Sequence, residues 1–313
     1  MSMSAELEGV KPHVGVRSFF ATSPNVAKKD LTPFAELQRP LPARSPRAWR
    51  FAAARAASRA GALFSDGLRI GYGHGFDSAP FMAHVYADRA SGRTALGRAI
   101  DRRLLDRPTC VAFREIRALA ESAVLEAIDA VATGSERPPV VADLAAGSAP
   151  YLLRALSARP RARAIAGDID PAGLEAARRG ARRLGVEDRL TLVRGDAFDR
   201  AALAALPSRP DVVLELGLYG IYHDDRRIER HLLDLTEVLA PRQLVFNVQT
   251  QNPEIEYIAR VWRNAAGSPC LWRLRPVGQL LAYAEAAGFA PMSVTSDRHG
   301  IYRVVRLARR QSA

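Results

Sequence analysis

Three aspartates recur at the ends of short apolar runs: Asp143 after "PVVA", Asp168 after "RAIAG" and Asp196 after "TLVRG". A carboxylate so placed accepts hydrogen bonds from hydroxyl or amino groups of a ligand. After the first run comes Asp143-Leu-Ala-Ala-Gly147-Ser-Ala-Pro, with one glycine where a dinucleotide fingerprint carries three. Backbone amides reach a pyrophosphate only through small residues, and the Asp143 carboxylate would repel that anion. The ligand end at this turn is therefore expected to be neutral or cationic. Asp168 stands 21 residues after Gly147, the separation at which an acid accepts both hydroxyls of a ribose. Asp196 can then accept from an adenine amino group.

Two further stretches carry reactive or polar side chains. Glu215-Leu-Gly-Leu-Tyr219-Gly-Ile-Tyr222-His223 offers His223 as a general base and Tyr219 and Tyr222 as rings to face a cation or hydroxyls to hold a nucleophile. Asn247-Val-Gln249 presents amide donors and acceptors to a polar ligand. Each has a plainer reading: a loop histidine, packed tyrosines, and amides that serve turns and caps.

These positions need a scaffold that brings strand ends together. Short apolar runs predict strands at 139–143, 164–168, 190–194, 211–216, 243–248, 291–296 and 301–307. Between them amphipathic periods predict helices near 150–158, 171–184, 199–205, 225–239, 253–264 and 276–287. Such alternation calls for a Rossmann-like α/β fold: a doubly wound, seven-stranded, mostly parallel sheet, with the last two strands an antiparallel hairpin across "SDRHG". Ligands bind beyond the carboxyl ends of such strands. Three parts follow in sequence: an Ala/Arg/Pro-rich arm over 1–65, either partly disordered or a loose helical cover; a helical cover over 66–137 that can act as a lid; and the catalytic domain over 138–313.

Composition sets the outer bounds. The 313 residues, 48% apolar, suffice for a sizeable core. The chain lacks an apolar run of membrane-spanning length and a secretory leader, so it is expected to be soluble and cytoplasmic. Cys110 and Cys270 form neither a disulfide framework nor a metal-ligand pair, and no metal is expected. A net charge of +12 invites nucleic acid, but only Lys11, Lys28 and Lys29 of the 45 basic residues are lysines, and arginines are spread from end to end. No basic track with interleaved aromatics appears, which argues against a nucleic-acid partner.

The three ordered acids and the small-residue turn resemble those of class I S-adenosylmethionine (SAM) methyltransferases over about 139–309. The resemblance implies SAM as cosubstrate or substrate, held by Asp143, Ala145, Gly147, Asp168, Asp196, Ala197, Glu215 and Gly217. SAM has no phosphate, so the missing glycines are dispensable. Ala145 and Ala149 stand where the family more often has glycine, and an Ala149 methyl is expected to narrow the pocket. "GFDSAPFMAHVYADRASGRTALGRAIDRRLL", "GDAFDRAALAALPSRPDVVLELGLYGIYHDD" and "RLRPVGQLLAYAEAAGF" are similar to a narrower group of methyltransferases over about 68–309, some of them fused behind an α/β-hydrolase domain. Residues 1–65 are too short to be that domain.

Three functions fit this pocket. The first is methyl transfer from SAM to a small molecule, such as one of specialised metabolism, with Tyr219, Tyr222, His223, Asn247 and Gln249 as catalytic candidates. The second is a SAM cyclase, in which the ligand's own amine attacks its γ-carbon to give azetidine-2-carboxylate and methylthioadenosine. The third is a SAM-binding module without catalysis. The sequence leaves the oligomeric state open.

Overall fold

The computed structural model describes residues 32–310, so the first 31 residues of the arm lie outside the described residues. After a single turn α1 (Phe34–Gln38), four helices start on hydroxyl caps: α2 (Pro46–Gly61), α3 (Asp66–His74), α4 (Ala79–Ala87) and α5 (Ala95–Leu105). Ser45, Ser65, Ser78 and Thr94 each accept from the backbone amide three residues on, which satisfies one of the free donors of a helix start. Helices α3, α4 and α5 fall within the helical cover expected over 66–137, and α2 lies in the arm over 1–65. The long α6 (Pro108–Ala132) begins on a proline, whose fixed φ and missing N–H suit a first turn.

From there strands and helices alternate: β1 (Val140–Asp143), α7 (Pro150–Ala158), β2 (Arg163–Asp168), α8 (Pro171–Leu184), β3 (Leu190–Arg194), α9 (Arg200–Ala204), β4 (Val212–Glu215), α10 (Asp225–Asp234), β5 (Gln243–Gln249), α11 (Ile255–Val261), α12 (Val277–Ala286), β6 (Phe289–Ser296) and β7 (Tyr302–Arg309). The sheet order is β3-β2-β1-β4-β5-β7-β6. The first five strands are parallel, and β7 runs antiparallel to both β5 and β6. Strand order reverses between β1 and β4, and the crevice outside their carboxyl ends is where such sheets take ligands. The expected helix 225–239 is α10 followed by a π-helical turn, Leu235–Leu239, closed by Ala240 at φ 51°.

Both faces of the sheet are covered. Ile116, Ala120, Val124, Ile128 and Val131 recur at helical spacing along α6 and pack with α7 and α8 against one face. Ile228 and Leu232 of α10 and Leu280 of α12 pack against the other. A third cluster joins the first helices to α11: Phe76 stacks on Trp262 at 4.9 Å between ring centres, with Phe81 edge-on at 5.8 Å. Burying each such aromatic contributes about 1.5–3 kcal/mol. No described helix is long and apolar enough to cross a membrane.

Candidate functional site

The turn after β1 is shaped by its own backbone. Gly147 is at φ 52° and Ala149 at φ 53°, both left-handed. Helix α8 approaches this turn closely, and it is glycine at 173 that allows it, because a Cβ there would lie 3.1 Å from the Gly147 Cα. Ala149 accepts the same conformation at a cost of roughly 1 kcal/mol. Its methyl is fully buried in the core with Leu152 and Leu174. It does not line the cavity described below, so the expected narrowing there does not arise.

Asp168 ties two loops together. Its Oδ2 accepts from Gly147 N at 2.7 Å and its Oδ1 from Asp170 N at 2.8 Å. A carboxylate has about four acceptor positions, so both oxygens keep capacity for a ligand. Asp170 in turn caps α8 by accepting from Ala172 N at 2.9 Å. Beside Asp168 the side chain of Ile169 is 62% exposed, an apolar platform at the end of an otherwise buried strand. Its only sequence signal is an isoleucine between two acids in "GDIDP".

Asp143 is buried beneath the turn, and Ala145 N donates to its Oδ1 at 3.3 Å. Burial, aided by the nearby charges of Glu215 and Asp168, pushes its pKa up to about 8. Asp196 is more committed: its Oδ1 accepts from Phe198 N and its Oδ2 from Arg227 Nη2 at 3.0 Å. Ala197 is buried behind it. Arg227 also lies over the rings of Phe198 and Tyr222, which are 4.0 Å apart between centres.

The loop after β4 folds back on itself. Glu215 is fully buried, 3.1 Å from His231 Nε2. Tyr219 is equally buried, its hydroxyl without a partner and its pKa raised by burial and then by Glu215. His223 Nε2 lies 3.0 Å from the Leu271 carbonyl oxygen, which can only accept, so the proton is on that nitrogen. The ring packs on Phe34. The buried Arg275 holds this conformation by donating to the Tyr219 and Tyr222 carbonyls and, at 2.7 Å, to Asp225. Glu215, Tyr219, Tyr222 and His223 are thus not brought to the cavity wall.

That cavity, about 680 Å³, opens between the strand ends and the helices α4 and α6. Of the sequence-derived residues it exposes Ala145, Gly147, Gly217, Asn247 and Gln249. Asn247 Oδ1 accepts from Gly217 N at 2.7 Å, and Gln249 Nε2 donates to the Tyr302 hydroxyl at 3.3 Å. Opposite stand residues that no spacing in the sequence marked: Tyr86 of α4, Phe113 of α6, Tyr151 of α7, Trp272 and Tyr302. They come from five separate segments and meet only in the folded chain. Burial raises the pKa of Tyr86, Tyr151 and Tyr302, so their hydroxyls stay protonated. The arrangement can hold a ligand between aromatic rings, the amides of Asn247 and Gln249, and the small-residue turn.

Comparison with known proteins gives this geometry a family. The family described as "Putative methyltransferase" matches residues 21–310. The chain is 28% identical over 251 residues to the uncharacterized protein YnbC of Escherichia coli (strain K12), covering 79% of this chain and 43% of that protein. It is 33% identical over 130 residues to the release factor glutamine methyltransferase of Moorella thermoacetica, covering 41% of this chain and 44% of the relative. The chain thus spans less than half the length of these two relatives. Among solved structures, a possible exported protein from Bordetella parapertussis superposes with a TM-score of 0.55 at 20% identity, covering 86% of this chain and 100% of the other. The SAM-dependent methyltransferase SibL in its apo form gives a TM-score of 0.50 at 17% identity, covering 86% and 72%. At these identities the two structures show the fold.

Proposed function

The chain belongs to the family described as "Putative methyltransferase", and on that premise we propose that it binds SAM at the turn after β1 and transfers its methyl group to a small molecule held in the cavity. The observation that carries this reading is the continuity of the two halves. The Gly147 turn, fixed by Asp168, forms part of the wall of the same cavity that Asn247 and Gln249 line. The residues suit SAM on their chemistry. A Cβ built on Gly147 would meet nothing within 4 Å, which leaves open space beside the turn, and the acids beneath it favour a cationic ligand.

SAM supplies an electrophilic methyl carbon on a sulfonium. The protein's part is to align an acceptor with that carbon and exclude water, and alignment alone supplies much of the rate in such displacements. Asp168 anchors the turn and accepts from ribose hydroxyls, Ile169 offers an apolar face to a flat base, and α4 and α6 cover the acceptor.

A second reading is favoured by that cover. A cavity roofed by α4 and α6 can hold the ligand's own amino-acid chain folded back on itself, as the cyclisation to azetidine-2-carboxylate requires. Incubating the purified protein with SAM alone, followed by mass spectrometry, separates the two. Intact SAM is expected for methyl transfer, whereas methylthioadenosine with a four-carbon cyclic amino acid would establish cyclisation. In calorimetry Asp168→Ala is expected to weaken SAM binding by at least about 100-fold, the loss of two or more charge-assisted hydrogen bonds. Unchanged affinity would sink the assignment of this pocket.

A further inference from the structure

Gln249 is 2% exposed, yet its Oε1 has no hydrogen-bond partner. Its Nε2 donates to the Tyr302 hydroxyl, and the two residues are paired across β5 and β7, so the amide is held in place with its oxygen unpaired. Leaving a buried acceptor unpaired disfavours the free protein, and a ligand donor at that point would relieve it.

The charged side chains that line the cavity among the described residues are Asp77 and Arg117; no histidine, cysteine, lysine or glutamate is among the lining residues. Asp77 is solvent-exposed as a residue, while burial raises the pKa of its carboxyl, which is hydrogen-bonded by the backbone of Asp77 and Ala265. Arg117 is engaged with Glu121 at 2.9 Å and lies over the Tyr86 ring. The cavity tyrosines stay protonated through burial, as described above. An alcohol or phenol acceptor would therefore have Asp77 as the one candidate base among the lining residues, and that carboxylate is already engaged by backbone amides. A neutral amine needs none, because its lone pair is already available.

We propose that the acceptor is a small molecule with a neutral amine as its nucleophile, held by N–H donation to Gln249 Oε1 and packed against Phe113 and Trp272. This rests on the methyl-transfer reading. In the step, the nitrogen lone pair forms the N–C bond to the methyl carbon as the C–S bond breaks. The electron pair of that bond returns to sulfur, leaving a neutral thioether, while the positive charge moves to nitrogen. The methylated ammonium loses its proton to solvent after release. The hydrogen bond to Gln249 strengthens as nitrogen becomes cationic, so it favours the transition state over the bound amine.

The test uses methyl-labelled SAM with benzylamine and 2-phenylethylamine against benzyl alcohol, 2-phenylethanol and phenol. Label in the amines alone is expected, with a kcat/KM that rises with pH and an inflection that follows each amine's own pKa. Gln249→Leu should lower kcat/KM about 10- to 100-fold, as for a hydrogen bond to a group becoming charged, with SAM affinity in calorimetry unchanged. Gln249→Glu keeps an acceptor at the same place, so it should retain amine binding and move the inflection of kcat upward by stabilising the bound ammonium form, while the inflection of kcat/KM stays with the free amine. Label in an alcohol or phenol, label in no probe while SAM is bound, or an inflection independent of the amine would each overturn the proposal. Failure of the wild-type protein to bind SAM would instead overturn the methyl-transfer reading beneath it.

Discussion

At the scale of single residues, the buried acid at the end of β1 makes binding and stability respond to pH in opposite directions. Asp143 titrates near pH 8 in the folded protein because burial outweighs its hydrogen bond from Ala145 and adjacent acids add to the effect. In the unfolded chain an aspartate titrates near 3.9. Between these values the folded state holds a proton that the unfolded state has released, so stability falls as pH rises, by at most about 1.4 kcal/mol per pH unit. A cationic ligand favours the ionised form, so SAM affinity should rise over pH 6–8 as the proton is expelled. Asp143→Asn keeps the oxygen that accepts from Ala145 and removes the titration. It should flatten both the urea-denaturation stability between pH 5 and 8 and the calorimetric affinity profile. Wild-type slopes persisting in the variant would show that another group titrates there. The acids at 143 and 168 were legible as strand-end residues. The burial that shifts one of them was not, because it depends on what packs over the turn.

Among the elements, the cover is tied together by one side chain that no motif announced. Asp101 of α5 is fully buried and accepts from Ser65 Oγ at 2.6 Å, Gly67 N at 2.7 Å, Ser91 N at 2.9 Å and His84 Nε2 at 2.9 Å. It thereby joins α3, α4 and α5. Burial opposes its ionisation, but the hydrogen bonds from His84, Ser65 and the two amides prevail and hold its pKa below the usual value. The stability it contributes is present above the unfolded carboxylate's pKa and is lost as pH falls through the lowered folded value. Asp101→Ala leaves several buried donors unpaired and should cost about 3–5 kcal/mol. With the roof over the cavity loosened, methyl transfer should fall further than SAM affinity. A variant whose activity and affinity drop together would show that the cover does not hold the acceptor. Helix α3 lies inside the helical cover expected over 66–137, but its bounds were blurred by Gly67, Gly71 and Gly73, which lower helix propensity. Two of them are required by packing: a Cβ on Gly71 would lie 2.4 Å from the Phe76 ring, and one on Gly67 2.7 Å from Asp101.

For the whole molecule, the strand ends lie within two residues of their sequence-based positions, because each strand is a short apolar run closed by a polar or glycine-bearing turn. The cavity was legible on its sheet side, at Ala145, Gly147, Gly217, Asn247 and Gln249. The opposite wall required knowing how α4 and α6 sit over the strand ends, and at 216–224 it required the buried Arg275, which holds the loop so that Gly217 and Gly220 reach the cavity while Tyr219, Tyr222 and His223 do not. Helix α6 makes these parts one body. Cys110 and Phe113 near its start belong to the aromatic cluster of the cover, whereas Ile116 to Val131 belong to the core beneath the sheet. Thr109 adds a tie by donating from Oγ1 to Glu254, just before α11, at 2.8 Å. The cover's aromatic cluster is therefore joined to the core beneath the sheet through α6 and Tyr302, which take part in both. A single calorimetric transition is expected, and SAM at 100 times its Kd should raise its midpoint as a whole by about 5–10 °C, from roughly 2.7 kcal/mol of linkage. Two transitions, with only one moved by SAM, would mean that α6 does not couple the cover to the strand ends and that the roof of the cavity opens independently.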